Sequence, residues 1–382
     1  MSVYLDHNAT APLDERVLAA MLPWLSGTHG NPASVHRYGR EALAALDTAR
    51  AQVAALVNAK PSQVVFTGGG TEADNLALKG VCRGTPQALV VGSIEHAAVL
   101  GPAEALAQQG WRVDYLPVDG EGRYELPALE KLLQKGGVRL VSAMLANNET
   151  GVIEDIAALS RLAHAHGALV HTDAVQAAAK LAVDFAALGA DLMTLSAHKV
   201  NGPRGVGALV RERRVDLAPL VDGGGQEQGL RGGTENLAGI VGFGKAAELA
   251  MAELEQRVRH GLFLRERLEA GVRRLPGARV FSAGAARLCN TLQFGVAGLA
   301  GEWMVMELDK RGFAVSSGSA CHSKSGEPSH VLLALGLEPA TALSAVRVSL
   351  GRGNTESEVD ALLAALMDIV ARSRGKAAAV GW

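Results

Sequence analysis

Aromatic residues are scarce in this chain: Phe, Tyr and Trp together make up 4% of its 382 residues. Its core must therefore rest on Ala, Leu and Val, and a hydrophobic content of 48% supplies enough of them for a large one. Cysteine is rarer still. Cys82, Cys289 and Cys321 are odd in number, far apart and never in a C-x-x-C pair. That excludes a disulfide framework and a cysteine zinc site, and suits a reducing cytoplasm; no metal is expected. No apolar run approaches the roughly 20 residues of a membrane helix. The opening MSVYLDHNAT has neither the basic nor the apolar part of a secretory signal. A cytoplasmic protein without a membrane partner is expected. A surplus of one charge is missing too: 37 Lys and Arg stand against 39 Asp and Glu, for a net charge of -2. Direct nucleic-acid binding is not expected.

Glycine, in contrast, is plentiful, with 45 residues, several in short runs that suit tight turns and close backbone approach to a ligand. The length suits two or three packed units. Asp14 reads as the N-cap of a helix through about Leu25, and a long amphipathic helix is expected from Arg37 to Val57. From QVVFTGGGTEADNLALKG to LMTLSAHK, strands and helical patterns alternate. This predicts an α/β fold with a large, mainly parallel sheet covered by helices on both faces. NGPRGVGALVRER reads as a glycine turn into a returning strand. One long helical stretch, Asn236 to Leu275, then leads into a smaller α+β region with short strands at ARVF, NTLQFGV, AVSS and AVRVSL. The domain boundary is expected near residue 260, and the tail GKAAAVGW is expected to be disordered or loosely attached.

In parallel sheets ligands bind beyond the carboxyl ends of the strands, where TGGGT, NNET, HTDAVQ and SAHK all fall. Lys199 ends the strand LMTLS. A lysine there suits either solvent or a Schiff base with a carbonyl cofactor. TGGGTE, with Gly70 and Thr71, joins a strand to a helix N-terminus and so suits an anion, although it equally suits an ordinary glycine turn. Asp173 could hold a protonated pyridine nitrogen or merely cap a helix. Together with Lys199, Ser196 and His198 it supplies the parts of a pyridoxal phosphate site. His96 opens a helix and could stack on such a ring or shuttle protons. Asn148 could bind substrate or close a turn. Cys321, in the small polar loop SSGSACHS, is a plausible nucleophile or a bystander thiol. Arg347 suits a bidentate clamp on a carboxylate or an internal ion pair.

These motifs, with YLDHNAT, GNPASVHRYG, NNETGV, LSAHKVNGPRGVGAL, GGGQEQGLRGGTEN and RVSLGR, run in one order nearly end to end. The chain resembles the NifS/IscS-type cysteine desulfurases, in the class V aminotransferase branch of fold type I pyridoxal phosphate enzymes. The resemblance implies a large cofactor-binding domain over 15–260 and a small domain formed by 1–14 and 261–382. It implies that Lys199 carries pyridoxal 5'-phosphate, Asp173 pairs with the ring nitrogen, Gln176 bonds the ring hydroxyl and His96 stacks on the ring. Gly70, Thr71, Ser196 and His198 would hold the phosphate, with Thr234 reaching that of the other subunit of a homodimer. Asn148 and Arg347 would bind the substrate carboxylate, and Cys321 would take the sulfur of L-cysteine as a persulfide for a sulfur-acceptor protein, such as an iron–sulfur scaffold or a thiolation enzyme. The departure lies at CHSKSGEP, where histidine follows the cysteine in place of threonine; this leaves selenocysteine lyase as an alternative, and class V aminotransferase is another.

Overall fold

The computed structural model describes residues 2–317 and 327–379. In chain order, β1 (Val3–Tyr4), α1 (Glu15–Ser26) and α2 (Arg37–Leu56) precede the alternating region. That region comprises β2 (Val64–Thr67), α3 (Gly70–Val81), β3 (Ala88–Gly92), α4 (Ala97–Gln108), β4 (Arg112–Leu116) and α5 (Leu126–Gln134). It continues through β5 (Val138–Ser142), α6 (Ile156–Ala165), β6 (Leu169–Asp173), α7 (Phe185–Leu188), β7 (Leu192–Ser196) and β8 (Gly207–Arg211). Then come α8 (Leu237–Ala252), α9 (Leu254–Val272), β9 (Ala278–Val280), β10 (Thr291–Val296), α10 (Gly301–Asp309) and β11 (Phe313–Ala314). The chain closes with α11 (His330–Ala334), α12 (Pro339–Ala342), β12 (Ala345–Ser349) and α13 (Glu356–Ala379).

Seven strands form one sheet in the order β2-β8-β7-β6-β5-β3-β4. Only β8 runs against its neighbours, pairing antiparallel with β2 and β7. The mainly parallel sheet and the returning strand read from the sequence are therefore both present. β2, β3 and β7 are buried along their whole length and β6 at all but its first residue, Leu169, as strands covered on both faces must be. Two apolar clusters cover the two faces, one around Val90, Val170 and Met193, the other around Leu89, Leu140 and Leu209. A third cluster packs around the antiparallel sheet β12-β10-β9, with Leu268, Phe294, Val348 and Leu366 fully buried. Leu5 joins that third cluster, so the first residues of the chain pack with its last third.

Asp14 caps α1 by accepting the Arg16 N–H at 2.9 Å. α8 lies close along α2: a Cβ at Gly244 would sit 2.6 Å from the Ala49 Cα, so only glycine permits that approach. The expected single helix from Asn236 to Leu275 is corrected to two helices. Glu253 leaves helical geometry at φ -104 and ψ 2, and its carboxylate is held by Arg16 at 2.6 Å and Arg257 at 2.8 Å, which fixes the break. Of the tail GKAAAVGW, α13 extends over the part up to Ala379, which is therefore helical; the rest lies outside the described residues. The strand read at AVSS is limited to Phe313–Ala314 and a single bridge from Ser316 to Arg347. Among the described residues no helix is long and apolar enough to cross a membrane.

Candidate active site

β7 ends at Ser196, and a single tight turn, Ala197–Lys199, places Lys199 at its carboxyl end. That turn needs glycine at 202, where a Cβ would meet the Ala197 carbonyl oxygen at 2.8 Å. The Lys199 ammonium donates to two backbone carbonyls, Asn8 O at 2.5 Å and Ala9 O at 2.8 Å. It thus lies beneath the N-terminal segment, at the side of a cleft of about 320 Å³. The carboxyl ends of β2, β3, β6 and β7 open onto this cleft, as expected for a parallel sheet.

Asp173 ends β6 and lines the same cleft. Its Oδ1 accepts the Val175 N–H at 2.8 Å. Burial raises its pKa to about 6, against the opposing pull of that N–H and of Lys199, so it is largely ionised at neutral pH. Asp74 lines the same cleft, and burial and the charge of Asp173 raise its carboxyl well above the usual range. Gln176 completes this end of the cleft, its Nε2 donating to Asn8 O at 2.9 Å.

At the other end, α3 begins at Gly70 with no side-chain cap, so the N–H groups of its first turn face outward with the positive end of the helix dipole. Thr71, Ser196 and His198 stand around it. A Cβ at Gly70 would crowd Val175 Cγ2 at 3.2 Å and Ser196 Cβ at 3.4 Å. His96 caps α4, its Nδ1 accepting the Ala98 N–H at 3.1 Å, so the imidazole proton resides on Nε2. Burial, with Lys199 and His330 nearby, lowers its pKa to about 4 and keeps it neutral. Arg347, 2% exposed in the middle of β12, donates from Nη1 to Asn148 O at 3.0 Å and from Nη2 to Asp6 Oδ1 at 2.7 Å. The structure shows the internal ion pair, with Asp6, and also places this arginine on the wall of the cleft.

The aminotransferase class-V family model matches residues 3–362. Cysteine desulfurase 2 of Trichormus variabilis is 43% identical over 375 residues, 97% of this chain and 94% of that one. The chain belongs to the cysteine desulfurases of the aminotransferase class-V family. A solved NifS-like protein superposes with a TM-score of 0.91 at 38% identity, over 97% of this chain and all of that one. SspA, solved in complex with cysteine, gives 0.79 at 33% identity, over 93% of this chain and all of that one.

Enzymes of this family depend on pyridoxal phosphate, and the residues present fit that group. The uncapped turn at Gly70 with Thr71, Ser196 and His198 is a donor set for a phosphate. The ionised Asp173 suits a protonated pyridine nitrogen, and Lys199 offers an amine between the two ends. Ten residues read from the sequence meet here: Gly70, Thr71, His96, Asn148, Asp173, Gln176, Ser196, His198, Lys199 and Arg347 all line the cleft. Thr234 does not; it is exposed on the loop before α8. Cys321 lies outside the described residues.

Several cleft residues escaped the sequence reading. Asn8 sits inside the quoted YLDHNAT, but nothing local marks it as more than a turn residue. Glu149 is fully buried and raised by burial, and it accepts Ser329 Oγ at 2.6 Å and Gln293 Nε2 at 3.2 Å. His330 opens α11 and donates its Nε2–H to Glu95 O at 2.9 Å. All three face partners far away in sequence, which no local pattern encodes.

Glu95 itself is wholly buried, accepts Tyr124 Oη–H and the Met144 N–H, and is raised to about 8 by burial. Its folded pKa thus lies above the ordinary value of 4.5, so the folded state holds a proton that the unfolded chain releases. The resulting stability is full below about pH 4.5 and is lost as pH rises to about 8, at up to ~1.4 kcal/mol per pH unit. Glu154, also raised to about 8, adds to the trend. Glu95→Gln keeps a neutral acceptor in place and is expected to flatten the fall measurably between pH 5 and 8, as read by urea unfolding at several pH values. A slope equal to that of the wild type would contradict a protonated Glu95.

Proposed function

We propose that this cleft takes the sulfur from L-cysteine, leaving L-alanine and a persulfide on Cys321. What carries the reading is the convergence of Lys199, Asp173 and Arg347 on one cleft in a chain of this family. Bound pyridoxal phosphate would supply an electron sink for negative charge at the substrate Cα. Arg347, with Asn148 beside it, would hold the substrate carboxylate through its outward N–H groups. Lys199 would take the Cα proton, its amine held in place by the carbonyls of Asn8 and Ala9. Neutral His96, with its proton on Nε2, would pass protons within the cleft. The Cys321 thiolate would attack the substrate sulfur. The S–S bond forms as the Cβ–S bond breaks, Cβ then gains a proton, and Cα recovers the proton that Lys199 took, to give alanine. Cys82, raised to about 12, and Cys289, raised by burial, are held as thiols and suit packing instead.

On this reading residues 15–260 form the cofactor-binding unit, and residues 1–14 with 261–382 form the smaller unit that carries Cys321. The enzyme works as a cytoplasmic homodimer in which Thr234 reaches the partner's phosphate site, and it passes sulfur to an acceptor protein such as an iron–sulfur scaffold. Purified protein given pyridoxal phosphate, L-cysteine and excess thiol is expected to release alanine and sulfide in equal amounts. Activity on selenocysteine alone, retained in Cys321→Ala, would instead establish a selenocysteine lyase. Transfer of the amino group to a keto acid would establish an aminotransferase.

A further inference from the structure

Lys180 has no role in the chemistry above, yet it is bound tightly to the residues that do. It lies four residues beyond Gln176, at the rim of a second, smaller cavity of about 60 Å³ that Lys199 borders from the other side. Its Nζ donates to Gln176 Oε1 at 2.6 Å and to Asn8 Oδ1 at 3.0 Å, and no carboxylate among the described residues pairs with it. Both acceptors are amide oxygens, whose orientation an amide can reverse by turning over.

Every contact of these two amides agrees with one orientation. An ammonium group only donates, so Gln176 Oε1 must face Lys180; a carbonyl only accepts, so Gln176 Nε2 must face Asn8 O, 2.9 Å away. One of the two Nε2 hydrogens is used there, which leaves the other for the cleft that Gln176 lines. Asn8 is constrained in the same way. Its Oδ1 accepts from Lys180 and from Asn290 Nδ2 at 3.1 Å, and its Nδ2 donates to Thr291 Oγ1 at 2.9 Å and Asn148 O at 3.1 Å. Asn8 O then receives both Gln176 and Lys199. Turning either amide over would set oxygen against oxygen or N–H against ammonium.

We propose that Lys180 is a positioning residue for the reaction: its ammonium locks the side-chain amides of Gln176 and Asn8 in one orientation, so that Gln176 presents an N–H to the cofactor. This rests on the reading of the cleft as a pyridoxal phosphate site. Lys180 also titrates unusually low, at about 7, because burial and the charges of Lys199 and Arg347 disfavour its ammonium, so the lock is set below about pH 7 and is released as the amine loses its proton above it. His7, lowered to about 4, and Cys289 face it from the same small cavity, together with Arg257, His260 and Arg352.

The test uses Lys180→Met, which keeps the length of the side chain and removes the donor. The full-length chain is loaded with pyridoxal phosphate, and the visible absorption of the bound cofactor is titrated with pH. The expected result is a midpoint displaced by about one pH unit and a dissociation constant for pyridoxal phosphate raised about tenfold. Gln176→Ala alone should produce similar changes. The double variant should be no worse than the more affected single one, because the lysine acts through the glutamine. An unmoved midpoint in Lys180→Met, or effects that add in the double variant, would overturn the proposal. Should Lys180→Met fail to fold, Lys180→Gln, which can still donate to one of the two oxygens, is expected to give a smaller displacement in the same direction, and no displacement overturns the proposal equally. Wild-type protein that gains no visible band with pyridoxal phosphate would overturn the cofactor reading itself, an outcome distinct from either of these.

Discussion

Lys199→Ala is expected to abolish the visible absorption of bound cofactor and to cut turnover of L-cysteine at least about a thousandfold. The loss should be chemical, not structural. Lys199 donates to Asn8 O and Ala9 O; Asn8 O keeps a second donor in Gln176 Nε2, and only the carbonyl of Ala9, a half-buried residue that lines the cleft, loses its donor. The stability change should be within about 1 kcal/mol, the net worth of an ordinary hydrogen bond. Spectrophotometry with pyridoxal phosphate, a thermal melt and an alanine assay together separate these effects. A variant that melts like the wild type and still turns over would remove Lys199 from the chemistry.

Arg347→Ala should fail in two ways at once. Its guanidinium is almost wholly buried and holds Asp6 at 2.7 Å and Asn148 O at 3.0 Å. Removing one partner of a buried ion pair costs about 3–5 kcal/mol where the other charge is left buried; Asp6 keeps some access to water, which places the expected loss near ~3 kcal/mol. The substrate carboxylate loses its cation at the same time, so KM for L-cysteine should rise about tenfold or more beyond any effect on kcat. Arg347→Lys should recover part of the stability but little of the KM, because an ammonium cannot grip Asp6 and a carboxylate as a planar fork does. Urea unfolding and steady-state kinetics on both variants read the two effects separately. A KM unchanged in Arg347→Ala would leave the arginine a purely structural ion pair.

These two residues also show how much of the site the sequence discloses. Lys199 and Asp173 are legible because each falls at the carboxyl end of a strand of the parallel sheet, Asp173 as the last residue of LVHTD and Lys199 one short turn beyond LMTLS, which is where such sheets bind ligands. The mainly parallel sheet follows from the same strand–helix alternation, and the reversal of β8 from the glycines before it. Arg347 is legible as an arginine that needs a carboxylate, but the sequence does not say which; Asp6 is 341 positions away. Asn8 and Lys180 are illegible for a related reason. Their significance lies in a hydrogen-bond set that joins residues 8, 148, 176, 180, 199, 290 and 291, and only the folded chain assembles it. The break at Glu253 escaped notice because both flanking segments are helical in pattern, and the break is held by a distant side chain, Arg16.

The whole mechanism depends on sulfur leaving the substrate for a thiol of this chain. The most direct test is mass spectrometry of the protein after brief exposure to L-cysteine with pyridoxal phosphate bound, with persulfides trapped by alkylation. The expected result is one added sulfur on the peptide that contains Cys321, none on those with Cys82 or Cys289, and none anywhere in Lys199→Ala. Alanine formed at full rate while Cys321 carries no added sulfur would contradict it.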